Sequence, residues 1–133
     1  MKLGGFAVNG SADKEYFPII HNPSKVQLDR YLTELENKSG MLRLELGEQP
    51  DIGVHEITLH AANGKYLPLL SEYAETGMKV RTLQDLRKEN SLVVFELSGE
   101  KFPNRAITND FLLVAAVLAE FLETGNVSVN LMA

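Results

Sequence analysis

The stretch VHEITLHAANGKYLPLLSEY, residues 54–73, decides the fold class. Two runs rich in aliphatic and β-forming residues flank Asn63-Gly64, a dipeptide that tolerates the positive φ angles of a two-residue hairpin turn. Counting outward from the turn sets Ala61 opposite Tyr66, Leu59 opposite Pro68, Ile57 opposite Leu70 and His55 opposite Glu72, with Glu56 opposite Ser71. Side chains alternate between faces along a strand, so Thr58, His60, Leu67 and Leu69 share the other face. Pro68 has no N–H to give to a ladder, which places it near an edge or at a bulge.

On the N-terminal side, Met41 to Leu46 reads as an amphipathic strand, with Leu42, Leu44 and Leu46 on one face and Arg43 and Glu45 on the other. Gly47 to Gly53 is an acidic turn into the hairpin. Further back, Asn22-Pro23 opens a helix, Asn22 as cap and Pro23 at the first helical position, where its missing N–H costs nothing. Leu28, Tyr31, Leu32 and Leu35 form its buried stripe, Arg30, Glu34 and Lys38 run along the opposite face, and Gly40 is the expected stop. Lys2 to Val8 reads as a first strand. Gly4 and Gly5 within it indicate a bulge or the close approach of another backbone. Asn9 to Ile20 reads as a polar loop that ends in an apolar patch of Tyr16, Phe17, Ile19 and Ile20.

Downstream, Thr76-Gly77 turns the chain into a strand over Met78 to Thr82, and Leu83 to Asn90 holds a single helical turn. Leu92 to Leu97 and Phe102 to Ile107 read as strands around a Ser98-Gly99 turn. The most apolar segment is TNDFLLVAAVLAEFLETG, residues 108–125. Thr108 is the expected N-cap, Ile107 and Leu112 the hydrophobic staple, and Gly125 the left-handed close of the last turn. Phe111, Val114, Ala115, Leu118, Phe121 and Leu122 make its core stripe, while Leu112, Leu113, Ala116 and Val117 lie off it. Such a helix is either clasped on several sides within the molecule or turns a second face to another subunit or a partner. Its apolar run is well short of the ~20 residues a bilayer requires. Val127, Val129 and Leu131 alternate with polar residues as a last strand. The order of strand, helix, antiparallel strands, helix and strand gives an α+β fold, a mainly antiparallel sheet with two principal helices packed on it.

At 133 residues the chain is expected to be one domain spanning 1–133. It has no cysteine, which excludes disulfides, thiolate metal sites and a cysteine nucleophile. Met1 to Gly10 lacks the long apolar region of a secretory signal, so a cytoplasmic protein is expected. The net charge is −5. Glu45, Glu48, Asp51, Glu56, Glu72 and Glu75 face only Lys65 within residues 45–75, and the rest of the chain holds 12 bases and 12 acids. This acidic third either solubilises the molecule or attracts a basic partner. We take these six carboxylates as the candidate partner-binding residues. Charges converge at the bases of the two hairpin strands, although Glu56 and Glu72 fall on opposite faces. No basic stripe points to direct nucleic-acid binding.

Chemistry is weakly signalled. His55 and His60 fall on opposite faces, and Glu56 and His60 are ~13 Å apart along a strand, which makes a metal site unfavourable. His55 beside Glu72 is either a structural cross-strand pair or an acid–base dyad. With Tyr66 these residues define the enzyme or ligand-pocket reading, a pocket beside the 54–73 hairpin. There is no phosphate-cradling glycine loop and no nucleophile elbow, and nothing calls for a cofactor.

Two stretches and the turn between them carry a resemblance. Asn22-Pro23-Ser24 opens a helix ending in Lys38-Ser39-Gly40, followed at once by the strand Leu42 to Leu46. Gly99 to Leu131 contains Phe102-Pro103, Arg105, Asp110, Phe121 and Thr124-Gly125 before a short final strand, and Asn63-Gly64-Lys65-Tyr66 lies between the two. The layout resembles a family of small immunity proteins from bacterial polymorphic-toxin and contact-dependent growth inhibition systems. It departs from that pattern in having Lys25 after Ser24 and no tryptophan. The resemblance implies a non-catalytic protein that binds and neutralises one cognate toxin domain, a nuclease by the charge argument, because toxin domains acting on nucleic acid are often basic. It carries over no site residues. A homodimer held by the second face of the 108–125 helix is a third reading.

Overall fold

The computed structural model describes residues 1–8, 13–48, 50–95 and 99–133. The chain forms an α+β fold, a mainly antiparallel sheet of six strands with two helices, as the hairpin and the two helical stripes lead one to expect. The elements in order are β1 Lys2–Val8, β2 Lys14–His21, α1 Lys25–Leu35, β3 Ser39–Glu45, β4 Gly53–Ala62, β5 Lys65–Ala74, β6 Gly77–Thr82, β7 Leu92–Val94, β8 Lys101–Pro103 and α2 Phe111–Thr124. The sheet order is β2-β1-β3-β4-β5-β6, and β7 and β8 form a separate antiparallel ribbon.

The alternation in the strands explains the core. Leu3, Leu42, Leu44, Ile57, Leu59 and Leu70 point to one face and are buried there against Leu28, Leu32 and Leu35 of α1 and Val114, Leu118 and Phe121 of α2. Val117, which lies off the expected stripe, is buried too. The helix is clasped by the sheet, by α1 and by the C-terminal segment that supplies Val127 and Met132. Leu112 is 79 % exposed and therefore makes no staple.

The hairpin register is the expected one at its turn: Ala61 faces Tyr66, Leu59 faces Pro68, Ile57 faces Leu70 and Glu56 faces Ser71. Asn63 and Gly64 hold φ of 49° and 89°. At the open end the count fails. The register shifts between Val54 and Glu56, so Val54 faces Glu72 and His55 is the extra residue of a bulge. Pro68 sits where β5 changes neighbours, since β6 ends with Thr82 opposite Leu69 and Thr108 bridges Tyr66.

Other expectations are corrected by pairing. The described part of the expected loop from 9 to 20 is not a loop: β2 pairs with β1 along Lys14–His21, while residues 9–12 lie outside the described residues. Two residues of β2, Pro18 and Ile19, oppose Gly4 of β1, a bulge that tolerates a proline in an edge strand. Gly40 does not stop α1; it lies inside β3, between Ala7 of β1 and Ala61 of β4. Ser24, not Asn22, caps α1, with Gln27 completing a capping box, because Asn22 adopts φ of 50° and accepts a hydrogen bond from the N-terminal amine. Asp110, not Thr108, caps α2, and Gly125 closes it at φ of 75° as expected. Leu83 to Asn90 contains turns and no helix. Of the expected strand from 92 to 97, β7 covers Leu92–Val94, residues 96–98 lie outside the described residues, and Gly99 of the expected turn holds φ of 71°. Asn104–Ala106 is a single 3-10 turn, which shortens the expected strand from 102 to 107. The C-terminal segment forms no strand; Met132 makes one bridge, to Leu83.

Candidate functional site

The second face of the sheet carries the residues that alternate with the core: Phe6 on β1, Met41, Arg43 and Glu45 on β3, and Glu56, Thr58 and His60 on β4. The two ends of this face differ. Over the turn end of β4–β5, the β7–β8 ribbon and the turn after it cover the sheet, packing Phe95, Ala106 and Ile107 against Ala62 and Leu67. Over β2–β1–β3 the face is open and holds a groove of about 410 Å³. Phe6, Tyr16, Ile19 and Met41 line it. Tyr16 and Ile19 are 70 % and 62 % exposed.

Two glycines lie in the lining of the groove. At Gly5 the backbones of β1 and β3 approach so closely that any Cβ would collide with the Met41 carbonyl oxygen. At Gly4 a Cβ would project toward Ile19, so its absence leaves the space between Ile19 and the sheet. Phe6 and Tyr16 lie with ring centroids 5.7 Å apart, and the Lys14 ammonium sits 4.6 Å from the Phe6 centroid. Along the far rim, Lys2 pairs with Glu45 at 3.2 Å and Arg43 pairs with Glu56 at 3.1 Å. Glu45 and Glu56 are register partners, so these four charges form one ridge across β1, β3 and β4. His60, opposite Met41 on β4, is held below its ordinary pKa first by burial and further by the Arg43 charge, with Glu100 opposing.

The six candidate carboxylates divide into three groups. Glu45 and Glu56 belong to the neutralised ridge. Glu72 is half-buried, with Val54 and Lys79 as its register partners. Glu48, Asp51 and Glu75 are exposed, in the β3–β4 and β5–β6 connections at one end of the sheet. The expected convergence of charge at the base of the hairpin thus concerns these three.

The trio His55, Glu72 and Tyr66 is not brought together. Tyr66 is buried on the helix face, its hydroxyl accepting the Asn37 N–H at 3.1 Å. His55 is 4 % exposed and stacks on Tyr73 at 4.3 Å. A smaller cavity does lie beside the hairpin, at its turn end, near Ala62 and Lys65. The groove residues Phe6, Tyr16, Ile19 and Met41 were not legible as a site. The signal was present in the apolar run before Asn22, but without β2 as a strand its alternation had no face to belong to.

A family model described as "Family of unknown function (DUF6911)" matches residues 1–131. Comparison with curated proteins gives no match. The fold is similar to that of a solved structure described as "Crystal structure of a hypothetical protein from Neisseria gonorrhoeae", with a TM-score of 0.80 and 22% identity over 96% of this chain and 89% of that one. At that identity the likeness concerns the fold alone.

Proposed function

The chain belongs to the DUF6911 family of unknown function, and from that premise we propose that it is a binding protein without catalysis of its own, a cytoplasmic immunity protein that holds and neutralises a bacterial toxin domain. The observation that carries the binding reading is the open groove over β2–β1–β3. It exposes Tyr16 and Ile19 beside Phe6 and Met41 on a rigid, hydrogen-bonded floor. Contiguous exposed apolar surface rimmed by charge is the usual mark of a protein-contact site, and aromatic and methionine side chains are enriched at such contacts. The toxin identity rests on the resemblance in sequence layout. Glu48, Asp51 and Glu75 suit a basic partner such as a nuclease domain, because complementary charge raises the association rate.

The test is a search for a toxin-like reading frame immediately upstream of the gene and co-expression with its product. Protection of growth and a co-purifying complex are expected, with both lost in Tyr16→Asp plus Ile19→Asp while the thermal melt is unchanged. Absence of protection and of any complex with the unaltered protein would sink the proposal.

A further inference from the structure

We infer that the cavity between the hairpin turn and the start of α2 is a binding site for a small organic carboxylate. The cavity measures about 220 Å³, below the roughly 300 Å³ at which drug-sized ligand sites begin, so its occupant is small. Its lining includes four residues with cationic or amide side chains, Lys65, Lys88, Asn104 and Asn109. Val93, Phe95 and Ile107 add apolar surface to the same lining. A lining that combines cationic and amide groups with apolar surface suits an anion that carries a hydrocarbon body, whereas inorganic phosphate has nothing to offer the apolar part.

The segments bearing Lys88 and Asn104 are held together. The Lys88 ammonium donates to the Ile107 carbonyl, which leaves two of its three N–H groups for a ligand. The Arg105 guanidinium donates to the Lys88 carbonyl at 3.1 Å, and the Asp85 N–H to the Arg105 carbonyl at 2.9 Å, so the segment bearing Lys88 is tied to the turn bearing Asn104. Two neighbouring carboxylates are engaged elsewhere. Asp85 accepts two bonds from the Arg87 guanidinium, and Asp110 accepts the Leu113 N–H as the cap of α2. Among the described residues neither Lys65 nor Lys88 makes an ion pair. In a protein of net charge −5, two lysines without an ion pair among the described residues line one cavity and make it a local anion site, and this site shares no lining residue with the partner groove.

The experiment titrates the full-length ¹⁵N-labelled protein with 3-methylbutanoate, with the neutral 3-methylbutanamide and with inorganic phosphate, at matched ionic strength. The carboxylate is expected to shift the amide resonances of Val93, Ile107, Thr108 and Asn109 saturably, and to bind roughly tenfold or more tightly than either control. Lys65→Gln alters an exposed residue and Lys88→Gln keeps an N–H for the Ile107 carbonyl; each is expected to weaken binding by about tenfold with the remaining spectrum unchanged. A carboxylate that shows no saturable shift, that binds no better than the amide or phosphate, or that binds Lys65→Gln as tightly as the unaltered protein, overturns the assignment.

Discussion

Arg81 is 5 % exposed and directs its whole guanidinium into the C-terminal segment. Nε and Nη2 donate to the Met132 carbonyl, Nη2 also to the Val127 carbonyl, and Nη1 to the Asn126 side chain. Its partners are carbonyl groups of a segment that has no ladder of its own, so Arg81 does for that segment what a neighbouring strand would do. Arg81→Met should leave those acceptors buried and unsatisfied and cost about 3 kcal/mol, read as a lower urea midpoint. His60 provides the pH dependence at this scale. In the unfolded chain its ring takes up a proton near the ordinary 6.5, whereas burial and Arg43 hold it below that value in the fold. The unfolded chain therefore binds more protons on acidification. The contribution of His60 to stability is complete above that ordinary value and is lost as the pH falls through it toward the folded-state pKa. Between about pH 7.5 and about pH 5.5, a span that brackets the imidazole range, denaturation midpoints should fall more steeply for the unaltered protein than for His60→Gln. Equal slopes would show that the ring does not titrate with unfolding.

At the scale of elements, the close contact of β3 with its neighbours is set by glycine. A Cβ at Gly40 would collide with the Phe6 carbonyl and lie 2.6 Å from Leu35 Cδ2, so Gly40 lets β1, β3 and α1 meet. Gly40→Ala should cost about 2–3 kcal/mol, the usual range for forcing volume into a packed interior. Gly4→Ala is the contrasting variant. Its added methyl meets only Ile19, at 3.6 Å, and stability should change by no more than about 0.5 kcal/mol. Because that methyl enters the groove, Gly4→Ala should nonetheless weaken partner binding. Chemical denaturation beside a binding titration separates the two effects; a large stability loss for Gly4→Ala would mean that the groove is structural filling. The same elements show where sequence reading stops. Gly125 was legible as a stop because a left-handed residue is a local requirement. Gly40 was misread because nothing within ten residues of it signals that two strands and a helix converge there.

Over the whole molecule, the topology gives the sheet one covered face and one half-open face, and places the β3–β4 and β5–β6 connections together at one end. Reversing Glu48, Asp51 and Glu75 to lysine should slow association with a basic partner and weaken its salt dependence, and each change should leave folding within about ±0.5 kcal/mol. Stopped-flow association at two ionic strengths is the measurement. An unchanged rate, with binding lost instead in Tyr16→Asp plus Ile19→Asp, would assign recognition to the groove alone. Among the described residues no helix is long and apolar enough to cross a membrane.

What the sequence determined by itself is whatever a short stretch of backbone settles alone. That includes the Asn63-Gly64 turn and the pairs next to it, the αL close at Gly125, the buried leucines of α1, and the alternation that put Leu42 and Leu44 in the core. From these the α+β class followed. The tertiary structure decided the rest, because an extended segment becomes a strand only when another strand supplies partners for its N–H and C=O groups. Lys14–His21 finds them on β1 despite Pro18, through a bulge. Val127 to Leu131, with the cleaner alternation, finds no strand partner among the described residues: the Val127 carbonyl accepts from Arg81, the Val127 and Ser128 N–H groups donate to the Asn126 and Glu120 side chains, and Leu131 N–H donates to the Ser128 carbonyl in a local turn. His55 was counted opposite Glu72 but leaves the ladder to stack on Tyr73. The groove followed the same rule, since it exists only once β2 lies beside β1 and Gly4 leaves open the space toward Ile19.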